Sequence, residues 1–550
     1  MELRNPAKEN TLLMDFAARS IFPDATRDSL ETTGDKGLVN GLVIDKQKGL
    51  IAKVFGHFRA GTEPSLSSDD ADRMLYELED LNRLRQLGID TPEVVRVEAE
   101  FFVMKLMSHT KVNWKLLTKL LERLHGATAQ SVVCSSPSRP AAFGFARDSF
   151  YGLRRITNGW SNDWWTFFIG TRFSPSIDML ERRLPDIALS GVDVSRSMAI
   201  VRFARWLADD VLLRSSPCHP WFPPPLSGSL LHGDVFANNV LHDGSRTMLI
   251  DPVCFYGDPL LDLVKYSNKR GDNEPAGLVY KFYYAFDLFA WTRNSMHLAS
   301  VEIAMQKLVR YMASTRTAPP SCLGTRHLVI VRRKGEAREK EMEGQTRSEV
   351  VLVCFGAFNP PHPNHLRLLD IARGALMLND DDLPTLSVRG FYIPAPDAYL
   401  SSAAKDTSPS QRLPLDLRER LILQGQDRWD VCTYLSDHAT TLTTLQIMMG
   451  GKIYLVAGSD TYQKALEPER LRIPASTNVI LVERSSSDAR INWEDVESTI
   501  RTRETKYQGA GSVLCVRQEE TEVWSSTKIR KSPLLWSQFT AELARNEEKK

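Results

Sequence analysis

An apolar run, VVLVCFG (350–356), ends in glycine and gives way at once to a segment with helical periodicity, HLRLLDIARGAL (365–376). Three more short apolar runs follow, KIYLVAG (452–458), NVILVER (478–484) and SVLCVR (512–517), with helical stretches between them. Strands that alternate with helices predict a parallel, doubly wound sheet, which binds ligands at the carboxyl ends of its strands. The C-terminal part of the chain is therefore predicted to be an α/β domain.

The chain has 550 residues, more than a single hydrophobic core usually supports, so two or three domains are expected. Residues 314–349 break the composition, because STRTAPPSCLG is followed by a charge-dense stretch with almost no large apolar residue. We predict one domain at 1–313, a charged linker at 314–349 and a second domain at 350–550. The embedded run HLVIVRR (327–333) could be a strand of either domain, which leaves the boundary open by roughly ten residues.

The charge balance, the apolar runs and the cysteine spacing indicate which classes of protein are not expected. The chain carries 69 basic and 68 acidic residues, so no net charge attracts nucleic acid. There is no run of 18 apolar residues and no export signal in MELRNPAKENTLLMDF, and the seven cysteines show no paired spacing. We expect a cytoplasmic enzyme of small-molecule substrates that binds neither nucleic acid nor membranes. A nuclear location and a homo-oligomer are left open.

The stretch GAFNPPHPNH (356–365) links the first strand of the α/β domain to its helix. Backbone N–H groups and the helix dipole at such a turn can bind phosphates, and Gly356 permits the close approach. His362 and His365 would lie beside those phosphates, where protonated imidazoles neutralise developing charge. The pattern predicts a nucleotide site.

This stretch resembles the nucleotidylyltransferase superfamily, and within it the eukaryotic nicotinamide mononucleotide adenylyltransferases. The resemblance continues in order through APDAY (395–399), VAGSD (456–460), LVERSSSDA (481–489) and WSSTKIR (524–530). It implies a Rossmann-like domain that uses ATP and Mg²⁺ to convert nicotinamide or nicotinate mononucleotide into a dinucleotide such as NAD. Tryptophans that would sandwich the pyridine ring are missing, and Tyr434 is the candidate to stack in their place.

The resemblance also implies the residues of the site. Phe358, Asn359, His362 and His365 would line the ATP and transition-state site. Gly458 and Asp460 would hold the adenosine or the incoming ribose. The hydroxyls and the guanidinium that would clamp the β- and γ-phosphates are those of Ser525, Ser526, Thr527 and Arg530.

A second constellation lies in LLHGDVFANNVLHDGSRTMLIDPVCFYGDPLLDLVKY (230–266). Asp234, Asn239 and Asp251 have the spacing of the catalytic and metal loops of protein-kinase-like phosphotransferases. The chemistry needs Asp234 to orient a hydroxyl and accept its proton, and it needs Asn239 and Asp251 to hold Mg²⁺ against the phosphates.

The upstream part of a kinase site is also present. Lys53 in LIAKVF would pair with the ATP phosphates, and Glu77 in the helix YELEDLNRL would be its ion-pair partner, with Glu79 as the alternative. The loop 32–41 bears glycines but lacks GxGxxG, and FVMKLM (102–107) would be the hinge to adenine.

More specifically, the first 300 residues resemble the fructosamine and ketosamine kinases within the aminoglycoside-phosphotransferase-like fold. RLHG (123–126), FGF (143–145), NGWSNDWWTFF (158–168) and Arg172 carry this resemblance together with the kinase loops. It implies an α+β protein-kinase-like domain that phosphorylates a small molecule.

Together the motifs predict a bifunctional enzyme, a kinase fused to an adenylyltransferase. In one reading the reactions are successive, and a riboside is phosphorylated and then adenylylated. In a second reading the kinase repairs ketosamines and the adenylyltransferase acts independently. In a third, one domain is a non-catalytic regulatory module.

Overall fold

The structure is a computed structural model that describes sixteen parts of the chain. They are residues 18, 21–33, 41–55, 67–107, 113–128, 143–189, 191–213, 221–266, 274–314, 350–379, 388–397, 412–424, 429–449, 451–458, 462–483 and 493–516.

Seventeen strands occur among these residues. In chain order they are β1 (Leu30–Thr33), β2 (Gly41–Asp45), β3 (Leu50–Val54), β4 (Val94–Val97), β5 (Phe101–Lys105), β6 (Ser149–Tyr151), β7 (Arg154–Ile156), β8 (Ser229–Leu231), β9 (Val240–His242), β10 (Thr247–Leu249), β11 (Phe255–Gly257), β12 (Val350–Gly356), β13 (Val388–Pro394), β14 (Asp430–Val431), β15 (Lys452–Gly458), β16 (Asn478–Val482) and β17 (Val513–Val516).

The α-helices, within the same described residues, are numbered likewise. They are α1 (Ser68–Gln86), α2 (Trp114–His125), α3 (Trp164–Phe168), α4 (Ser174–Leu189), α5 (Val194–Arg205), α6 (Pro259–Tyr266), α7 (Pro275–Thr292), α8 (Ser295–Ser314), α9 (Pro363–Leu366), α10 (Leu368–Asn379), α11 (Leu415–Gln424), α12 (His438–Met449), α13 (Tyr462–Leu466), α14 (Pro468–Leu471) and α15 (Trp493–Lys506).

The chain divides into two compact units that do not follow chain order. Unit 1 comprises Met1–Pro175 and Phe222–Tyr284, and unit 2 comprises Ser176–Trp221 and Ala285–Lys550. Residues 315–349, most of the expected linker, lie outside the described residues. The expected boundaries at 313 and 350 therefore stay a prediction.

Unit 1 begins with a five-stranded antiparallel sheet in the order β1-β2-β3-β5-β4. Strands β2 and β3 form a hairpin, and the Asp45 carboxylate closes its turn by accepting hydrogen bonds from the backbone N–H groups of Gln47 and Lys48. Strands β4 and β5 lie between α1 and α2 in the chain.

Helix α1 starts where its sequence provides a cap. The Ser67 hydroxyl accepts a hydrogen bond from the Asp70 N–H, and acidic residues occupy the first turn while Arg83 and Arg85 occupy the last. Helix α1 carries Glu77 on the face next to the sheet, where it meets Lys53 of β3.

The second part of unit 1 is built from short two-stranded sheets and helices. Strand β8 pairs with β11, and β9 pairs with β10, both antiparallel. The segment from Leu231 to Val240 therefore forms a loop between two strands, as does the segment from Leu249 to Phe255. These two loops carry the residues of the kinase motif.

Unit 2 contains a six-stranded, fully parallel sheet in the order β14-β13-β12-β15-β16-β17. The parallel sheet expected from the sequence is confirmed. Chain order runs outward from β12 to β14 on one side and resumes at β15 on the other, so the order reverses between β12 and β15. Ligands bind at such switch points in open parallel sheets.

In the described part of the chain, no helix is both long enough and apolar enough to cross a membrane.

Three tryptophans of the NGWSNDWW segment have different surroundings. Trp164 and Trp165 are fully buried, and the Trp164 indole donates a hydrogen bond of 2.7 Å to the Tyr280 hydroxyl. Trp160 is 37% exposed and stacks on Tyr256 with ring centroids 5.8 Å apart. The structural role expected for a buried aromatic therefore applies to Trp164 and Trp165 and not to Trp160.

We expect Trp164→Ala to destabilise unit 1 by about 3–5 kcal/mol, since it removes a large buried side chain and the Tyr280 contact. The melting temperature measured by calorimetry should fall by about 10 °C. Trp160→Ala is the matched control and should shift it by less than about 2 °C. Equal shifts for the two variants would contradict this assignment of the core.

Candidate active sites

A cleft of about 390 Å³ in unit 1 gathers the predicted kinase residues. Its lining includes Lys53, Glu77, Asp234, Asn239 and Asp251. They come from strand β3, helix α1 and the two loops of the short sheets, so residues almost 200 positions apart meet at one place.

The ammonium group of Lys53 lies between two carboxylates. Its Nζ is 2.7 Å from both carboxylate oxygens of Glu77 and 2.8 Å from Oδ1 of Asp251. Burial alone would lower the pKa of Lys53, but the two carboxylates outweigh it and raise this pKa to about 12. Glu79 points elsewhere: it is paired with Arg147 and its side chain is 62% exposed. The structure thus selects Glu77 from the two alternatives.

Asp234 stands on the loop between β8 and β9 with three polar neighbours. The Asn239 amide nitrogen donates to its Oδ2 at 2.9 Å, and the Tyr151 hydroxyl donates to its Oδ1 at 2.7 Å. The ammonium group of Lys265 also contacts Oδ1. Burial raises the pKa of Asp234 to about 8, with the nearby Asp251 carboxylate as the second cause.

The loop that carries Asp234 is held by a buried carboxylate. Asp262, at the start of α6, accepts hydrogen bonds from the His232 N–H at 2.8 Å and the Gly233 N–H at 2.9 Å. His125 lies 3.1 Å from the same carboxylate. Gly233 has φ of 80°, and a Cβ there would lie 2.2 Å from the Val253 carbonyl oxygen, so only glycine fits.

The charges of this cleft suit a bound cation. Burial raises the pKa of Glu77 to about 7, with Lys53 opposing the shift and Asp251 adding to it. Asn239 and Asp251 would present amide and carboxylate oxygens, the ligands that Mg²⁺ prefers. Within the described residues no three His, Cys, Asp or Glu side chains form a complete metal cage.

Motif reading missed Tyr151 and Lys265, the other two partners of Asp234. Lys265 lies three residues after Asp262 on α6, so one helical turn joins the support of the loop to a contact of the aspartate. This three-residue spacing on one helix could have identified Lys265 from the sequence. For Tyr151, on hairpin strand β6, the sequence offers none that we recognise.

A second cleft, of about 270 Å³, lies in unit 2 at the carboxyl ends of β12 and β15. Gly356, Phe358, His365 and Gly458 line it, as the sequence led us to expect. It therefore lies beside the point where the strand order reverses, the expected place for a nucleotide.

The two histidines of the motif form a stacked pair. The rings of His362 and His365 are 3.7 Å apart between centroids, and the Phe358 ring meets that of His365 edge-on at 5.1 Å. His365 lines the cleft, whereas His362 is 4% exposed beneath it. Asn359 is buried and its amide oxygen accepts a hydrogen bond of 2.9 Å from the Leu413 N–H, which is a supporting role.

A buried guanidinium supports this turn. Arg418, on α11, donates to the Ala357 carbonyl at 2.8 Å, to the Leu413 carbonyl at 3.0 Å and to the Asp397 carboxylate at 2.6 Å. Sequence reading missed Arg418, because two of its three partners are backbone groups that no side-chain pattern reveals.

Three further side chains of the cleft were not assigned a catalytic part. Lys464 brings a positive charge to the lining, and Tyr434 and His438 form one wall. Burial lowers the pKa of His438 to about 4, so this imidazole is neutral at pH 7.

Five predicted residues of this site lie outside the described residues: Asp460, Ser525, Ser526, Thr527 and Arg530. Their part in the site stays a prediction.

Both clefts gather residue types that occur in transferases, and comparison with known proteins finds similar proteins for each part of the chain. Residues 75–271 match the family model for fructosamine kinase. A probable ketoamine kinase of Enterococcus faecium is 26% identical over 167 residues, which cover 30% of this chain and 50% of that protein. The chain thus spans half the length of this relative.

The second half has relatives of another kind. A nicotinamide/nicotinic acid mononucleotide adenylyltransferase of Oryza sativa subsp. japonica is 27% identical over 199 residues, covering 34% of this chain and 78% of that protein. The structure of Plasmodium falciparum nicotinic acid mononucleotide adenylyltransferase complexed with NaAD gives 12% identity and a TM-score of 0.23, covering 33% of this chain and 83% of that one. The two resemblances stated from the motifs, to fructosamine kinases and to mononucleotide adenylyltransferases, are confirmed.

Substitutions on α1 separate the two candidate partners of Lys53. Glu77→Gln removes the charge of its 2.7 Å partner, so we expect kcat/KM for ATP in phosphotransfer to fall about tenfold or more. Glu79→Gln, two residues along the same helix, should change it less than about twofold. Steady-state phosphotransfer assays check both, and similar losses would refute the selection of Glu77.

Substitution of His365 tests the role of the motif histidines. His365→Ala should lower AMP transfer by about 100-fold, because it removes a donor that lines the cleft, while ATP still binds in a calorimetric titration. His297→Ala removes a histidine of α8 that does not line the cleft, and should leave the rate within about twofold. Full activity of His365→Ala would rule this role out.

Proposed function

We propose that the chain is a bifunctional enzyme, an ATP-dependent small-molecule kinase joined to a mononucleotide adenylyltransferase. The observation that carries the proposal is the presence of two separate sets of transferase residues. Lys53, Glu77, Asp234 and Asn239 share one cleft, and the GAFNPPHPNH turn opens into another.

In the kinase reaction, the hydroxyl oxygen of the acceptor attacks the γ-phosphorus of ATP. The bond from that phosphorus to the β–γ bridging oxygen breaks, and ADP leaves. Asp234 orients the hydroxyl and takes its proton, while Lys53, fixed by Glu77, holds the phosphates. Asn239 and Asp251 would hold Mg²⁺, which neutralises phosphate charge when bound.

In the adenylyltransferase reaction, a phosphate oxygen of the mononucleotide attacks the α-phosphorus of ATP, and pyrophosphate leaves. The catalytic requirement is alignment and charge neutralisation, with no covalent intermediate. His365 and Lys464 supply positive charge or donors at the cleft. The strand order, with its reversal between β12 and β15, supports a Rossmann-like arrangement in which the adenosine meets the Gly356 turn.

The acceptor we propose is nicotinamide or nicotinate mononucleotide, and the product is a dinucleotide such as NAD. The rice relative is named for these acceptors. Tyr434 lines the cleft and would stack on the pyridine ring in place of the missing tryptophans. Its position against His438 and Phe355 leaves an aromatic wall at this side.

The simplest relation between the two activities is succession. The kinase would phosphorylate a pyridine riboside, and the second site would adenylylate the product. A second candidate function, phosphorylation of ketosamines, is favoured by the match of residues 75–271 to the fructosamine kinase family. In that case the two activities would be independent.

One set of incubations discriminates these functions. With ATP and Mg²⁺, the protein should convert nicotinamide riboside to the mononucleotide and then to NAD, identified by mass spectrometry. Asp234→Ala should abolish the first step and still make NAD from the mononucleotide. His365→Ala should accumulate the mononucleotide.

The alternative outcomes are equally specific. Phosphorylation of a fructosamine but not of the riboside would replace the succession by the ketosamine function. Phosphorylation that survives in Asp234→Ala would refute the kinase assignment. If no mononucleotide yielded a dinucleotide, the adenylyltransferase assignment would be wrong.

A further inference from the structure

One wall of the cleft in unit 2 is a short segment, 431–441, that leads into helix α12. Tyr434 and His438 of this segment line the cleft, and the Tyr434 hydroxyl lies 3.3 Å from Nδ1 of His438. The Phe355 ring packs against that of His438 at 4.5 Å. The placement of this wall decides the width of the cleft on that side.

Helix α5 holds the segment from outside the cleft. The Arg202 guanidinium donates a hydrogen bond of 2.7 Å to the Thr433 hydroxyl, immediately before Tyr434. The same nitrogen is 3.8 Å from the buried Glu419 carboxylate, which restrains the arginine. Thr433 is itself 3% exposed, so water does not compete for this bond.

Helix α8 holds the next residues. The Gln306 amide donates to the Ser436 hydroxyl at 3.0 Å and to Oδ2 of Asp437 at 2.8 Å. The other oxygen of Asp437 accepts a hydrogen bond of 2.7 Å from the Thr440 N–H, and so caps α12. Gln306 therefore fixes the start of the helix whose first residue is His438.

We propose that Arg202 and Gln306 are positioning residues for the acceptor wall of the C-terminal cleft. Both precede the charged segment 314–349 in the chain, yet their bonds flank Tyr434 on either side. Neither residue lines the cleft, so both act through the backbone that carries Tyr434 and His438. The proposal rests on the adenylyltransferase function proposed above, in which this wall receives the mononucleotide.

The position of this wall also indicates that the KM for the acceptor is the kinetic constant affected. A wall that loses one restraint still presents the same groups, but spends less time at the width that fits the acceptor. Acceptor affinity should weaken, whereas ATP affinity should not, because Gly356 and His365, which would face ATP, belong to other parts of the lining.

Arg202→Met in the full-length chain tests this directly. We expect KM for nicotinamide mononucleotide to rise about fivefold to tenfold, with KM for ATP and the kinase rate within about twofold of the parent. Arg205→Met is the matched control, since Arg205 lies one turn along the same helix and pairs with Asp178 and Glu181. It should leave the mononucleotide KM unchanged. Arg202→Lys, which keeps a donor, should recover part of the affinity.

Two more variants separate positioning from loss of folding. Thr433→Val removes the acceptor of the bond at constant volume and should reproduce the effect of Arg202→Met, and the double variant should be no worse than either alone. Gln306→Ala should raise the same KM. An unchanged mononucleotide KM in Arg202→Met and Thr433→Val, or an equal rise of the ATP KM, would overturn the proposal.

Hydrogen exchange gives a readout that does not depend on activity. Amides of 431–441 should exchange faster in Arg202→Met and in Gln306→Ala than in the parent or in Arg205→Met, as followed by mass spectrometry. If the parent made no dinucleotide, the proposed function would fail and this measurement alone would test the positioning. Unchanged exchange in both variants would then overturn it.

Discussion

The buried carboxylate of Asp262 fixes the first cleft, because it accepts hydrogen bonds from the backbone of the loop that presents Asp234. It is fully buried and is satisfied by the N–H groups of His232 and Gly233 and by the His125 ring. Moving the loop would leave a charge in the interior without partners, which costs several kcal/mol. The Asp234 side chain is therefore placed by an interaction in which it takes no part.

The second cleft uses a buried charge of opposite sign for the same purpose. The side chain of Arg418 is inaccessible to solvent and its donors hold the Ala357 carbonyl, one residue after Gly356. Burial lowers the pKa of Arg418, but the Asp397 carboxylate opposes this shift. In both sites a buried ion outside the cleft lining holds the backbone that presents the lining groups. Such preorganisation is what transfer of a charged phosphoryl or adenylyl group requires.

The sequence predicted elements that have a simple period and residues that have a fixed spacing. The run 452–458 is strand β15, and Lys53 and Glu77 meet as expected. Strand β13 was missed because Gly390 interrupts its pattern, and the Trp429 indole explains that glycine: a Cβ there would lie 2.4 Å from the ring. Asp262 and Arg418 could not be assigned their roles, since they bind backbone groups that become neighbours only in the folded chain.

The order of the chain is also a poor guide to which helices share a core. Helices α5 and α8 precede the charged segment but belong to the compact unit that contains the parallel sheet, and α8 packs on α12. They are joined to each other, because the Arg196 guanidinium donates to the Glu302 carboxylate at 2.8 Å. Each of the two helices also hydrogen-bonds the segment before α12, through Arg202 and Gln306. A chain cut within the charged segment would keep every motif of the proposed adenylyltransferase but lose the hydrogen bonds from Arg202 and Gln306 to segment 431–441.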